Sequence, residues 1–187
     1  MAVARVGISG WTYPPWRGVF YPKGLPHRAE LEYASSKLDS IEINGSFYAL
    51  QKPSSYRSWA ETTPEHFVFS VKGGRYITHI LRLRNARAAL ASFFASGVLA
   101  LGPKLGPMLW QLPPNLPLDP DALDTFLALL PATAAEARAL AAETTLEEGR
   151  IDLTAGGGRA LRHAVEARHP SCADPEFVRI ALAHGVA

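Results

Sequence analysis

The sequence predicts an α/β fold built around a parallel sheet. Three features carry that expectation. Five short apolar runs recur along the chain, helical patterns fill the intervals between them, and most of the runs are continuously hydrophobic rather than alternating. Continuous runs mark parallel strands covered on both faces. Strand–helix alternation with crossovers implies parallel pairing and right-handed connections. A (β/α)8 barrel and an open doubly wound sheet both satisfy the pattern.

The apolar runs, read as strands, cover residues 3–8, 38–43, 67–71, 107–112 and 161–167. A helix over 27–37 follows from Leu31, Ala34 and Leu38 at helical spacing. Another, over 53–61, has Pro53 in the first turn, where its missing N–H does no harm, and Tyr56, Trp59 and Ala60 to face inward. Asn85 is a candidate N-cap for a helix over 86–95, and Asp119 one for 120–130. The Ala-rich stretch 134–142 predicts a further helix. Asp174 caps the last, over 175–184, which Gly185 closes. Val186-Ala187 reads as the start of a sixth strand. Gly156-Gly157-Gly158 reads as a surface excursion; no strand precedes it and no Lys-Ser/Thr follows, so it is not a phosphate loop.

At 187 residues, 48% of them hydrophobic, the chain predicts one domain with ample core. A net charge of +2 gives no ground for a nucleic-acid or membrane partner. The distribution is uneven, with 13 Lys/Arg against 6 Asp/Glu in residues 1–110 and 6 against 11 thereafter. A basic first part would favour an anionic ligand; solvated arginines on outer helices explain it as well. The single cysteine, Cys172, leaves no Cys pair for a disulfide or a zinc site. The opening residues lack a signal-peptide pattern, and no apolar run approaches a membrane span. A cytoplasmic protein with no bound cofactor is expected.

Several motif-like segments run along the chain: Gly7-Ile8-Ser9-Gly10-Trp11-Thr12-Tyr13 with Trp16-Arg17-Gly18-Val19-Phe20-Tyr21-Pro22-Lys23-Gly24-Leu25, then Ile41-Glu42-Ile43-Asn44-Gly45-Ser46-Phe47-Tyr48 and Phe69-Ser70-Val71-Lys72. Ile77-Thr78-His79, Leu105-Gly106-Pro107-Met108-Leu109-Trp110-Gln111-Leu112-Pro113-Pro114 and Val165-Glu166-Ala167-Arg168-His169-Pro170-Ser171 follow. In content and order these segments resemble the DUF72 (YecE-like) family. The resemblance implies a TIM-type (β/α)8 barrel without an established reaction. It also implies that this chain is an incomplete barrel of five to six strands, a truncated single domain over 1–187. Ala167 stands where the family tends to have a large aromatic, and Cys172 where it tends to have Trp.

In such a barrel the carboxyl ends of the strands form the ligand rim. Residues two apart on a strand share a face, so Glu42 and Asn44 point together into the interior, away from Ile41 and Ile43. A buried carboxylate needs a partner, and Lys72 on the next strand is the natural one. The pair is either a structural ion pair or a proton-transfer pair. Glu166 and Arg168 share a face on the fifth strand. Arg168 and His169 would anchor an anion, or Arg168 would simply neutralise Glu166. Gln111 ends the fourth strand with a neutral amide, and Trp11 leads an aromatic loop that stacks on a ligand or plugs the barrel. His79 and the run Arg75, Arg82, Arg84, Arg87 follow the third strand as an anion funnel or a solvated surface.

Glu42, Glu166, His79 and His169 could meet as metal ligands, but no tight His spacing occurs and Lys72 would compete, so no metal is expected. The expected activity is acid/base chemistry on a small polar or anionic metabolite such as a sugar or sugar phosphate. Lys72, Glu42 and Glu166 are the catalytic candidates; Trp11, Asn44, Gln111, Arg168, His169 and His79 are the binding ones. The alternative is a non-catalytic module binding nucleic acid or a protein.

Overall fold

A computed structural model describes residues 4–154 and 158–187. Five strands form one sheet: β1 Gly7–Ser9, β2 Ser40–Ile43, β3 Val68–Lys72, β4 Leu105–Gln111 and β5 His163–Glu166. All pairings are parallel and the spatial order is β1-β2-β3-β4-β5, so each strand lies beside its neighbour in sequence. A doubly wound sheet reverses its strand order at a switch point; none occurs here. The sheet is open, with β1 and β5 at its edges. Along β5, Ala187 N donates to His163 O (3.1 Å) and Val165 N to Ala187 O (2.7 Å), so Ala187 takes the next strand position, as Val186-Ala187 predicts.

The helices are α1 Glu30–Ser35, α2 Gly45–Tyr48, α3 Pro53–Thr62, α4 Arg87–Ala95, α5 Pro120–Ala128, α6 Ala134–Ala141 and α7 Pro175–Ala183. Two predicted caps are in place. Asp119 accepts from Ala122 N (3.0 Å) and Asp174 from Glu176 N (2.9 Å). Asn85 does not cap. It sits in the left-handed region at φ 51°, beside Arg82 and Leu83 at φ 51° and 69°, and Ala86 takes the cap position of α4. A short polar side chain tolerates that conformation, so the residue makes the turn instead of closing the helix. The π-helical turn Tyr76–Ile80 and the short α2, both directly after strand ends, carry no signal in the apolar pattern. Gly156 and Gly157 lie outside the described residues.

The helices cover one face of the sheet. Ile41 and Ile43, Phe69 and Val71, and Met108 and Trp110 are buried there. Trp110 packs against Phe93 of α4 and Phe126 of α5 at ring separations of 5.5 and 5.4 Å. Its ring also explains Gly73, where a Cβ would stand 2.2 Å from Trp110. The expectation of cover on both faces does not hold for β2 and β3. Their burial alternates, and the second face, bearing Ser9, Glu42, Asn44, Ser70 and Lys72, is partly open to solvent. Short strands leave too few positions for the alternation to stand out from an apolar run.

Two buried polar side chains, Lys104 and His163, are met by backbone carbonyls. Lys104, 8% exposed, donates to the carbonyls of Ala60 and Thr63 at the end of α3, where helical carbonyls lack partners. Trp110 Nε1 donates to His163 Nδ1 (3.2 Å), and His163 Nε2 donates to Pro131 O (2.9 Å). That chain requires a neutral imidazole. Burial holds His163 below its ordinary pKa, against a smaller opposing effect of the Pro131 carbonyl. The unfolded chain takes up this proton near pH 6.5 and the folded chain resists it. Stability from His163 is therefore complete above that pH and is lost as pH falls through it, by up to about 1.4 kcal/mol per pH unit until the folded-state pKa is reached. Chemical denaturation at pH 7.5 and 5.5 should give a flatter pH dependence for His163→Gln than for the parent chain; equal slopes would exclude His163 as the titrating group.

Candidate functional site

Parallel register fixes what meets at the carboxyl ends of the strands. Ser9 lies beside Glu42, Glu42 beside Ser70, Lys72 beside Leu109, and Gln111 beside Glu166. With Ile43 beside Val71, the next position on each strand brings Asn44 level with Lys72. Alternation then turns Ser9, Glu42, Asn44, Lys72, Gln111, Glu166 and Arg168 to the open face. One row of polar side chains results.

The row has two ends of different character. At the β1–β2 end, Asn44 Nδ2 donates to Ser9 Oγ (2.6 Å), and Ser9 Oγ reaches Glu42 Oε1 at 3.5 Å. At the β4–β5 end, Glu166 is clamped: Gln111 Nε2 donates to Oε2 and Arg168 Nε to Oε1, each at 2.6 Å. Burial works to raise the Glu166 pKa. The hydrogen bonds from Gln111 and Arg168, with the charges of Arg168 and Lys72, outweigh it and hold the carboxyl below its ordinary value. Glu166 is thus ionised at neutral pH.

Lys72 stands between these ends with no carboxylate at ion-pair distance among the described residues. Among the described residues no ion pair includes Lys72 or Glu42, so the direct Lys72–Glu42 pair that the sequence favours is not formed. The Lys72 ammonium instead lies 5.1 Å from the centroid of the Phe47 ring, a cation–π contact. Phe47 belongs to α2, which is tied to β3 where Ser46 Oγ donates to Lys72 O (2.6 Å). Phe47 also meets His79, edge-on at 5.1 Å. His79 Nδ1 lies 2.8 Å from the hydroxyl of Thr78. Burial first, then the charges of Arg75, Lys72 and Arg168, holds the His79 imidazole below its ordinary pKa, hence neutral near pH 7.

A family model described as protein of unknown function DUF72 matches residues 5–187. The chain belongs to the DUF72 family. It is similar to the UPF0759 protein YecE of Escherichia coli (strain K12), 31% identical over 127 residues that make up 67% of this chain and 44% of that protein. The UPF0759 protein YunF of Bacillus subtilis (strain 168) is 29% identical over 114 residues, 58% of this chain and 39% of that protein. These matches span less than half of either relative. A crystal structure of a DUF72 family protein from Thermotoga maritima superposes with a TM-score of 0.67 at 22% identity, covering 97% of this chain and 62% of that one. One from Enterococcus faecalis V583 gives 0.61 at 17% identity, covering 96% and 56%. At such identities the likeness shows the fold alone.

In this DUF72 chain the rim joins Glu42, Asn44, Lys72, Gln111, Glu166, Arg168 and His79. His169 is engaged in its own loop. Its Nδ1 accepts from Ser171 N (3.1 Å) and lies 2.8 Å from Ser171 Oγ, capping the short turn Pro170–Ala173. The arginine run after β3 also divides. Arg82 donates to Asn115 O (2.9 Å), Arg84 pairs with Asp119, and Arg87 pairs bidentately with Glu143. Arg75 alone of that run adds its charge at His79. Burial pushes the Cys172 thiol up, away from a reactive thiolate. Among the described residues no three His, Cys, Asp or Glu side chains group as metal ligands, and no helix is long and apolar enough to cross a membrane.

Sequence reasoning passed over Ser9 and Phe47 as individual site residues. Strand alternation would have found Ser9, on the face of Glu42. Phe47 sits on a helix too short to show a period. Arg168→Ala should raise the pKa of Glu166, by removing one of its two hydrogen bonds and the nearest positive charge; carboxyl NMR titration would show the shift, and an unmoved value would mean that Gln111 alone holds the carboxylate.

Proposed function

We propose that this chain forms the greater arc of a (β/α)8-type barrel whose rim binds and transforms a small anionic metabolite by acid/base chemistry. The consecutive parallel order and the position of Ala187 on β5 support the barrel reading. One observation above all supports the anionic ligand: Lys72 stands in mid-rim with no carboxylate paired to it, while its charge and those of Arg75 and Arg168 converge on His79. Strand ends of a parallel sheet are where ligands gather in such folds.

In this reading Lys72 receives the anionic group and stabilises charge that develops on it. Glu42, free of a cationic partner, and His79, neutral near pH 7, are the proton-transfer groups. Glu166 is the orienting residue, because its two clamps aim Gln111 and Arg168 and leave it a weak base. Trp11 and Asn44 wall the β1–β2 end. His169 positions the loop that follows β5. A nucleic-acid surface is the less favoured reading, since Arg82, Arg84 and Arg87 already hold partners within the chain.

Incubation with a pool of small anionic metabolites, followed by mass spectrometry, should show loss of at least one species. Lys72→Met should slow that loss by about a hundredfold or more, the scale on which such groups act, with the thermal melt unmoved. Turnover equal to the parent's would remove Lys72 from the reaction.

A further inference from the structure

Beside the polar row, at the ends of β1 and β2, lies a pocket of about 290 Å³. Its walls are Trp11, Trp59 and Tyr13, with Thr12, Asn44 and Gln51 as polar members. Trp11 and Trp59 meet with ring centroids 5.4 Å apart and planes 78° apart, forming an aromatic corner. Both rings are partly exposed.

The corner is rigidly built. Tyr56, fully buried, packs edge-on against Trp59 at 5.3 Å. Tyr21, also buried, donates its hydroxyl to Trp11 O (2.6 Å). The turn that carries Trp11 needs Gly10, at φ 79°, and Tyr13 closes it by donating to the Ser9 carbonyl. A site fixed before the ligand arrives loses less entropy on binding.

Its polar side chains both donate and accept. The Asn44 amide nitrogen gives one of its two hydrogens to Ser9 Oγ (2.6 Å), and the Gln51 amide nitrogen one of its two to Ala49 O (2.9 Å). Each amide keeps a second N–H and its oxygen, and Thr12 adds a hydroxyl, with the Glu42 carboxylate one hydrogen bond beyond Asn44, through Ser9. Aromatic walls beside such groups fit a ligand that has apolar C–H faces and many hydroxyls, each able to donate and accept.

We infer that the Trp11–Trp59 corner is a subsite for the ring of a polyhydroxylated metabolite, an aldose or its cyclic derivative. This rests on the reading of Lys72 as the anion's place, and it makes the substrate a sugar carrying an anionic group. The sugar ring lies over β1 and β2 and its anionic group over β3.

Saturation-transfer NMR with D-glucose and D-ribose, alongside ³¹P line broadening with inorganic phosphate, separates the two parts. At least one aldose should receive saturation from the parent chain. Trp11→Leu and Gln51→Leu should each weaken that aldose fivefold or more and leave phosphate broadening unchanged; Gln51 lies outside the core, so its variant serves if Trp11→Leu fails to fold. Phosphate broadening with no aldose signal, with signals from free adenine or thymine only, or with aldose signals untouched by both substitutions, would overturn the sugar subsite and leave the anion site standing. Absence of both phosphate and aldose binding would remove the two together.

Discussion

Parallel pairing of five strands in their order along the chain is the constraint on which the rest of the site depends. Once Ile41, Phe69, Met108 and Trp110 are committed to the helix side, every residue one step away on those strands is committed to the other. A slip of one residue anywhere would send Lys72 into the core and Val71 into water. The large aromatic core around Trp110 makes that slip costly, since burying such a ring contributes roughly 2–3 kcal/mol. The polar row is thus held in line by apolar packing on the opposite face, with little help from contacts among its own members.

Several buried polar groups are tied to fixed partners on other elements. Lys104 closes the end of α3, and His163 links Trp110 to the Pro131 carbonyl. Asp152, buried as well, pairs with Arg57 of α3 and accepts from Thr154 N at 2.9 Å. The pair with Arg57 fastens the excursion between α6 and β5 against α3, the helix that also supplies Trp59. Groups left unpaired in a low-dielectric interior are expensive, and pairing them with fixed carbonyls also fixes the elements that bear those carbonyls. The rim therefore rests on elements locked from below.

Strands and caps were legible in the sequence because they depend on residues close along the chain. All five apolar runs became strands, and Asp119 and Asp174 reached amides two or three residues on. Side-chain partners were less legible. Alternation told which way Lys72 points but not that α2 would fold back and set Phe47 beneath its ammonium. Nor could spacing show that His169 would be drawn into a turn by Ser171, or that three of four arginines after β3 would find acceptors more than thirty residues away. Each of these outcomes is set by tertiary approach, on which local propensity is silent.

The difference between Glu166 and Lys72 then follows from geometry and not from residue type. Both stand on the same open face at strand ends. Glu166 lies two residues before an arginine on its own strand line and beside a glutamine in register, so its charge is met before any ligand arrives. Lys72 has Asn44 level with it on one side and Leu109 on the other, neither of which carries charge. A carboxylate so matched can orient its neighbours but has little left to offer a ligand. An ammonium held over an aromatic face, with no ion pair among the described residues, retains most of its capacity for an anion.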